Sequence, residues 1–316
     1  MESAVREIAT LRHDALFYGT DEQFVAGLVP FVRDGLAGGE AVVAAVTRSN
    51  IALLRDALAG DAAHVSFIDR DEWYRRPATT VSGWRGELDK ALEDGHPSLR
   101  IIGEVAFGPG PRHPTWTRYE SALNTLFAAA PAWIVCPYDS RALPPAVLAD
   151  ARRTHPTVVD PDRRGSDRYE SPAELLRRVR EPLPAVAGPP ALEMPLAHPD
   201  DVLAARRAVR ALAAGWPEDR LDELQLVVTE IAANGIEHGR GRRQLRFWST
   251  GDRLVCEVDD EGPGPADPLA GYAPPRGGGR DGGWGLWIAH QLCDEIAITT
   301  ADGHTRVRLA LVANPA

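Results

Sequence analysis

The stretch VVTEIAANGIEHGRG, Val227 to Gly241, has the spacing of an amphipathic helix, yet it sets a carboxylate, an amide and an imidazole along one line. At about 100° per residue, Leu224, Val227 and Ile231 share a face; Asn234 and His238 project into the middle of it, and Glu230 lies at its edge. A buried amide or carboxylate without a partner costs roughly 1–3 kcal/mol. The column therefore calls for a polar counterpart, either a hydrogen-bond network within the fold or a ligand. Further on, VDDEGPG places Asp260 in D-x-G-x-G with Gly262 and Gly264. Those glycines let the backbone turn tightly and approach a ligand, and the carboxylate can accept from an exocyclic amine; the same string also suits a plain hairpin turn. GGWGLWIAHQLCD then sets Gly283, Gly285 and Leu286 at the start of an apolar helix. Its unblocked N–H groups can hold an anion, although a glycine pair before a helix is also an ordinary loop. Between the two motifs PADPLAGYAPPRGGGRD carries Arg276 and Arg280, the composition of a flap with cations for phosphate or of a surface loop.

These motifs need a scaffold, and the chain supplies one with a clear order. Helix (DDVLAARRAVRALAAG), helix (about 218–238), strand (RQLRFWS), strand (RLVCEVDD), Gly/Pro loop, helix (WGLWIAHQLC), strand (DEIAITT) and strand (TRVRLALV) follow one another. Short turns such as TGD and ADG imply antiparallel pairing with helices on one face, an α+β two-layer domain. Residues 12 to 160 alternate differently. The apolar runs AVVAAV, HVSFID, LRIIGEVAF and AWIVCPY read as strands buried on both faces, separated by helix-like segments such as DEQFVAGLVPFVRDGL and WTRYESALNTLFAAA. That pattern predicts an α/β domain with a mostly parallel sheet, in which ligands tend to bind beyond the carboxyl ends of the strands. LPAVAGPPALEMPLAHPD is Pro-rich and aperiodic, so the expected division is a first domain over 1–182, a linker over 183–198 and a second domain over 199–316.

A chain of 316 residues has the length for about two domains, each able to bury a core. Its composition, 44% hydrophobic and 25% charged, is ordinary for a globular protein. The formal charge of −10 disfavours nucleic acid and anionic membranes, whose phosphates need clustered Lys and Arg. Cys136, Cys256 and Cys293 are far apart and outside any C-x-x-C spacing, so spacing supports neither a disulfide framework nor a zinc site. No leader-like segment opens the chain, and no apolar run nears the roughly 18–20 residues of a membrane span; the expected compartment is the cytoplasm.

Taken in order, E-x-x-x-N-x-x-x-H on a helix, D-x-G-x-G after a strand, an interposed lid, G-x-G-L opening a helix and GHTRVRL in the last strand resemble the ATP-binding domain shared by gyrase and histidine kinases, the Bergerat or GHKL fold. The resemblance covers 199–312 and implies ATP with Mg²⁺. It gives Asn234 to the metal, Asp260 to the adenine amine and Thr305, in the G-x-T element, to the adenine side. Gly283, Gly285 and the lid with Arg276 and Arg280 would enclose the triphosphate; His238, Gly262, Gly264 and Leu286 complete the nucleotide site. A histidine kinase would carry a phosphoacceptor on a dimerising hairpin, whereas the nearby His198 falls in the linker, and the chain stops soon after the last strand without a transducer domain. RAVRALAAGWPEDRLDELQLVVTEIAANGIEHG and GGWGLWIAHQLCDEIAI are instead similar to the anti-sigma-factor serine/threonine kinases. That likeness implies Glu230 as the catalytic base, a sigma factor and/or an anti-sigma antagonist as partner, and a homodimer. Gly235 departs from the Ala usual after the Asn, at a helix cost of up to about 1 kcal/mol. Binding is thus implied more firmly than turnover, and a partner-sequestering module without phosphoryl transfer or a histidine-kinase-like fragment stay open.

RHDALFYGTDEQFVAGLVPFVRDGLAGGEAVVAAVT and LRIIGEVAF resemble the MEDS sensory domain, a RecA-like α/β fold, over about 12–160. Without G-x-x-x-x-G-K-[ST] no ATP is expected there. His13, Tyr18, Glu40, Glu104 and Tyr138 lie near predicted element ends, where an unidentified small molecule could be read; each also suits a satisfied structural polar group.

Overall fold

Thr20 shows how local chemistry starts the elements. Its hydroxyl accepts from the Gln23 N–H at 3.2 Å, and Asp21 and Glu22 occupy the first turn, where carboxylates favour the positive end of the helix dipole. The computed structural model describes residues 10–107, 113–275 and 283–314. It divides into two compact units, Met1–Val179 and Arg180–Ala316.

The first unit runs β1 (Arg12–Tyr18), α1 (Asp21–Ala37), β2 (Ala41–Val46), α2 (Arg48–Leu58), β3 (Ser66–Asp69), α3 (Arg70–Trp73), α4 (Pro77–Glu93), β4 (Leu99–Gly103), α5 (His113–Leu126), β5 (Ala132–Asp139), α6 (Pro145–Thr154), β6 (Thr157–Val159), β7 (Arg163–Gly165) and α7 (Pro172–Arg178). Its seven strands are ordered β3-β2-β4-β5-β1-β6-β7, parallel throughout except for the β6–β7 pair. The predicted α/β class with a mostly parallel sheet is therefore correct. β1 sits in the interior of the sheet, from Arg12 opposite Trp133 to Tyr18 opposite Asp139. Phe24, Leu28 and Val32 of α1 and Leu54 and Leu58 of α2 bury against Leu16, Val42, Ala44 and Val46. Trp84 of α4 donates from Nε1 to the Tyr119 hydroxyl of α5 at 2.9 Å, which satisfies both buried polar atoms.

The second unit runs β8 (Leu192–Pro195), α8 (Pro199–Leu212), α9 (Glu218–His238), β9 (Gln244–Ser249), β10 (Arg253–Asp260), α10 (Trp284–Leu292), β11 (Glu295–Ala301) and β12 (His304–Val312). The sheet is antiparallel, in the order β11-β12-β10-β9-β8, and forms the expected two-layer α+β sandwich with its helices. β8 lies within the stretch read as linker and pairs with β9 from Leu192–Phe247 to Pro195–Gln244. Period-two alternation sorts β10. Leu254, Cys256 and Val258 enter a core with Val209, Leu224, Val227, Val228 and Ile231, while Glu257 and Asp259 meet Arg246, Arg306 and Arg308 on the other face. Among the described residues no helix is long and apolar enough to cross a membrane.

Candidate functional site

The motifs of the second unit converge on one pocket of about 350 Å³, near the lower end of small-ligand sites. Its walls come from α9 (Ile231, Asn234, Gly235, His238), the end of β10 (Val258, Asp260), the loop after it (Pro263, Gly264), the start of α10 (Gly283, Leu286) and β12 (Thr305, Val307). The polar column of α9 climbs out of the core: Glu230 and Asn234 are half-buried, and His238 is exposed at the rim. Its counterpart is the backbone of α10. A Cβ on Gly285 would stand 2.7 Å from Glu230 Oε2 and 3.0 Å from Asn234 Nδ2, so glycine there is what lets the two polar groups close against the helix start. Gly283 caps α10 in the left-handed region at φ 94°, which a side chain rarely adopts.

Asp260 is buried, and its Oδ1 accepts from the backbone N–H groups of Gly262 at 2.6 Å and Arg240 at 3.3 Å. Both bonds fall on the same oxygen. Oδ2 makes no hydrogen bond among the described residues and remains an oriented acceptor beside an apolar wall of Ile231, Val258, Ile298 and Val307. The Gly262 carbonyl in turn accepts from the Thr305 hydroxyl at 2.7 Å, tying the loop to β12. Gly264 sits at φ 74°, and a Cβ there would come within 2.6 Å of Thr300 Oγ1. The D-x-G-x-G glycines thus serve the turn and the close approach at once.

Gly235, read from sequence as a weak point of the helix, has a packing role. A Cβ there would lie 2.8 Å from Val258 Cγ1 and 2.9 Å from Leu196 Cδ2, so α9 approaches β10 too closely for alanine. Arg276 and Arg280 lie outside the described residues. Arg240 was not singled out from sequence; it lines the pocket, its N–H holds Asp260, and its carbonyl accepts from the Glu261 N–H at 2.9 Å. Nothing in a loop arginine after a glycine signals that backbone role.

In the first unit the structure sorts the five proposed pocket residues into three hydrogen-bonded groups. Glu40 accepts from Arg100 Nη2 at 2.9 Å and from Ser98 at 2.8 Å, a buried structural pair. Glu104 accepts from Asn50 at 2.8 Å, the Thr47 N–H at 3.0 Å and Arg70 at 2.7 Å, and Asn50 also reaches the Tyr18 hydroxyl at 3.5 Å. Burial and then the Glu104 charge push Tyr18 up to about 12. His13 and Tyr138 meet a third group with Cys136, whose spacing spoke against a zinc site, and with Glu120 and His155, which sequence reading passed over. The one signal for Glu120 was an acid inside the buried stripe of Trp116, Tyr119 and Leu123 on α5.

Comparison with known proteins divides the chain in the same way. Residues 12–156 match the family model for MEDS, the MEthanogen/methylotroph, DcmR Sensory domain, and residues 196–311 match the model for the histidine kinase-like ATPase domain. No curated protein matches. The chain joins a MEDS domain to a histidine-kinase-like ATPase domain.

Proposed function

We propose that the protein is a cytoplasmic signalling regulator in which the MEDS domain governs an ATP-dependent anti-sigma serine/threonine kinase module. The observation that carries this reading is the convergence of Asn234, Asp260, Thr305 and the α10 glycines on one pocket. Asp260 accepts from the adenine amine through Oδ2. Guanine presents an acceptor at that place and leaves the carboxylate unpaired, which selects ATP over GTP. The free N–H groups at the start of α10 and its dipole receive phosphate oxygens. Asn234, whose side chain makes no hydrogen bond among the described residues, gives its amide oxygen to Mg²⁺, a hard cation that keeps its remaining sites for water and phosphate. The bound Mg²⁺–ATP supplies the transferable phosphoryl group and neutralises its charge.

Glu230 lies beside Asn234 with no hydrogen bond on its carboxylate among the described residues, and in this reading it takes the proton of a substrate Ser or Thr hydroxyl. General-base assistance of this kind contributes typically about 10²–10⁴-fold. The partners are a sigma factor and an anti-sigma antagonist. A phosphate of about −1.5 to −2 charges on the antagonist expels its docked surface by repulsion. The packing of Gly235 against Val258 and Leu196 gives that glycine a place in the fold.

The test incubates the purified protein with γ-labelled ATP and Mg²⁺ in cleared lysate, beside Glu230→Gln and Asn234→Ala. Acid-stable label on a small protein, absent with both variants, is expected. ATP binding with no transferred label would favour the sequestering module instead, and acid-labile label would favour a histidine-kinase-like activity.

A further inference from the structure

The third polar group of the first unit shares no residue with the nucleotide motifs and is built unlike an ordinary hydrogen-bond network. His13 of β1, Glu120 of α5, Cys136 of β5 and His155 just after α6 are 3%, 1%, 2% and 0% exposed. His13 Nε2 stands 3.2 Å from Glu120 Oε2 and 3.4 Å from Cys136 Sγ; Glu120 Oε2 is 3.6 Å from the sulfur and 3.5 Å from His155 Nε2. All four atoms lie within 4.8 Å of one another. A tetrahedral ion with bonds of about 2.0–2.1 Å to N or O and about 2.3 Å to S sets its donors roughly 3.3–3.6 Å apart.

The surroundings fix which atoms face inward. Asn124 Nδ2 donates to the Thr154 carbonyl at 2.7 Å, so its Oδ1 is turned to His13 Nδ1 at 3.1 Å and can only accept. His155 Nδ1 lies 2.8 Å from the Ala151 carbonyl, again an acceptor. Both imidazoles therefore carry their proton on Nδ1 and aim the lone pair of Nε2 at the carboxylate and the sulfur. Among the described residues His155 Nε2 makes no hydrogen bond. The second oxygen of Glu120 accepts from the Tyr138 hydroxyl at 3.3 Å. Anchoring the two histidines and the glutamate by their far sides is the outer-shell arrangement of metal-binding histidines and carboxylates. Without an ion the Cys136 S–H donates to Glu120 Oε2 at 3.6 Å; a divalent cation takes the place of that proton and also satisfies the lone pair on His155 Nε2.

We propose that His13, Glu120, Cys136 and His155 form a closed, four-ligand site for a zinc-class divalent cation in the core of the MEDS domain. One thiolate, one carboxylate and two neutral imidazoles bring the site to zero net charge with a divalent ion, the condition for stable burial. All four positions are protein ligands, so the ion braces β1, α5, β5 and the end of α6 and leaves no coordination place for a substrate.

The experiment uses the untagged full-length protein, purified without chelator and separately reconstituted with Zn²⁺ or Co²⁺. We expect one tightly held ion per chain after dialysis and a zinc absorption edge fitted by one sulfur and three nitrogen or oxygen neighbours. Cobalt should give intense tetrahedral bands with a thiolate charge-transfer band, and Cys136→Ser should lose that last band. The zinc shell is read on the unmodified chain, so it decides the matter even if Cys136→Ser does not fold. No retained ion, a shell of oxygen alone, or a thiolate band that survives in folded Cys136→Ser would overturn the proposal.

Discussion

Both units gather polar atoms among apolar walls, and they do so in opposite ways. In the second unit the acceptors line a pocket: Asn234 is half-buried, His238 exposed, and Asp260 keeps Oδ2 without a hydrogen bond among the described residues. In the first unit His13, Glu120, Cys136 and His155 face one another with almost no exposure. An open arrangement tolerates an occupant that comes and goes, because water fills in between visits. A closed one has no such substitute and asks for an occupant that stays. The Glu40–Arg100 pair is the third case, in which the protein supplies its own counter-charge and nothing further is required.

That contrast can be broken by substitution. The largest effect is expected at the self-satisfied pair. Arg100→Ala strands the buried Glu40 and should cost about 3–5 kcal/mol in denaturant unfolding of the first unit, with ATP affinity unchanged. At the open pocket the order reverses. Asp260→Ala should weaken ATP binding roughly 100-fold, about 2.7 kcal/mol by calorimetry, with a much smaller change in stability. Gly235→Ala tests packing alone: the gain in helix propensity of up to about 1 kcal/mol is outweighed by overpacking of about 1–3 kcal/mol against Val258 and Leu196, a net loss of stability at thermal unfolding. Gly285→Ala pushes chiefly the flexible ends of Glu230 and Asn234, with Glu230 Cβ at 3.2 Å giving by a few tenths of an ångström, so stability should move little while Mg²⁺–ATP affinity falls about 10-fold, roughly 1.4 kcal/mol.

The smallest effect is one of pH. Burial acts to raise Asp259, but hydrogen bonds from Arg306 at 2.7 Å and His304 at 3.0 Å outweigh it and hold the carboxyl below its ordinary range. A depressed folded value means stability that is present above the unfolded carboxylate pKa of about 3.9 and lost as pH falls through the folded one. The pair is partly exposed and contributes on the order of 0.2–1 kcal/mol. The stability gap between the native chain and Arg306→Ala should be full above about pH 4 and close below it, in acid titrations followed by circular dichroism.

Much of this was legible because it was local. α9, the D-x-G-x-G turn and the α10 glycines each announce themselves within a dozen or so residues, and their order carried the fold of the second unit. The strands AVVAAV and AWIVCPY were legible as apolar runs because parallel strands are buried on both faces. β1 escaped that rule. RHDALFY carries His13 and Asp14 in the middle of the sheet, where Asp14 is satisfied by Trp133 Nε1 and Arg163 Nε, both at 2.9 Å and both remote in sequence. β8 was hidden by Pro195 and the prolines around it, since LEMP pairs as an edge strand whose pairing only β9 reveals. The cluster around Glu120 was illegible for the same reason: its members come from separate elements, and spacing rules for metal ligands apply to neighbours in sequence.

The interior place of β1 also bears on how the protein is made. Its pairing partners β5 and β6 emerge more than a hundred residues later, at Ala132–Asp139 and Thr157–Val159. During synthesis the first strand has no sheet to join until nearly the whole unit has left the ribosome, and loop closure over that span must precede the contacts that reward it. The second unit pairs β9 with β10 and β11 with β12 across short turns, and each of these hairpins can zip as it appears. Translation would therefore present the first unit as a long-lived, sheet-incomplete chain in need of protection, and hydrogen exchange during refolding should show β1 gaining its protection late, together with β5.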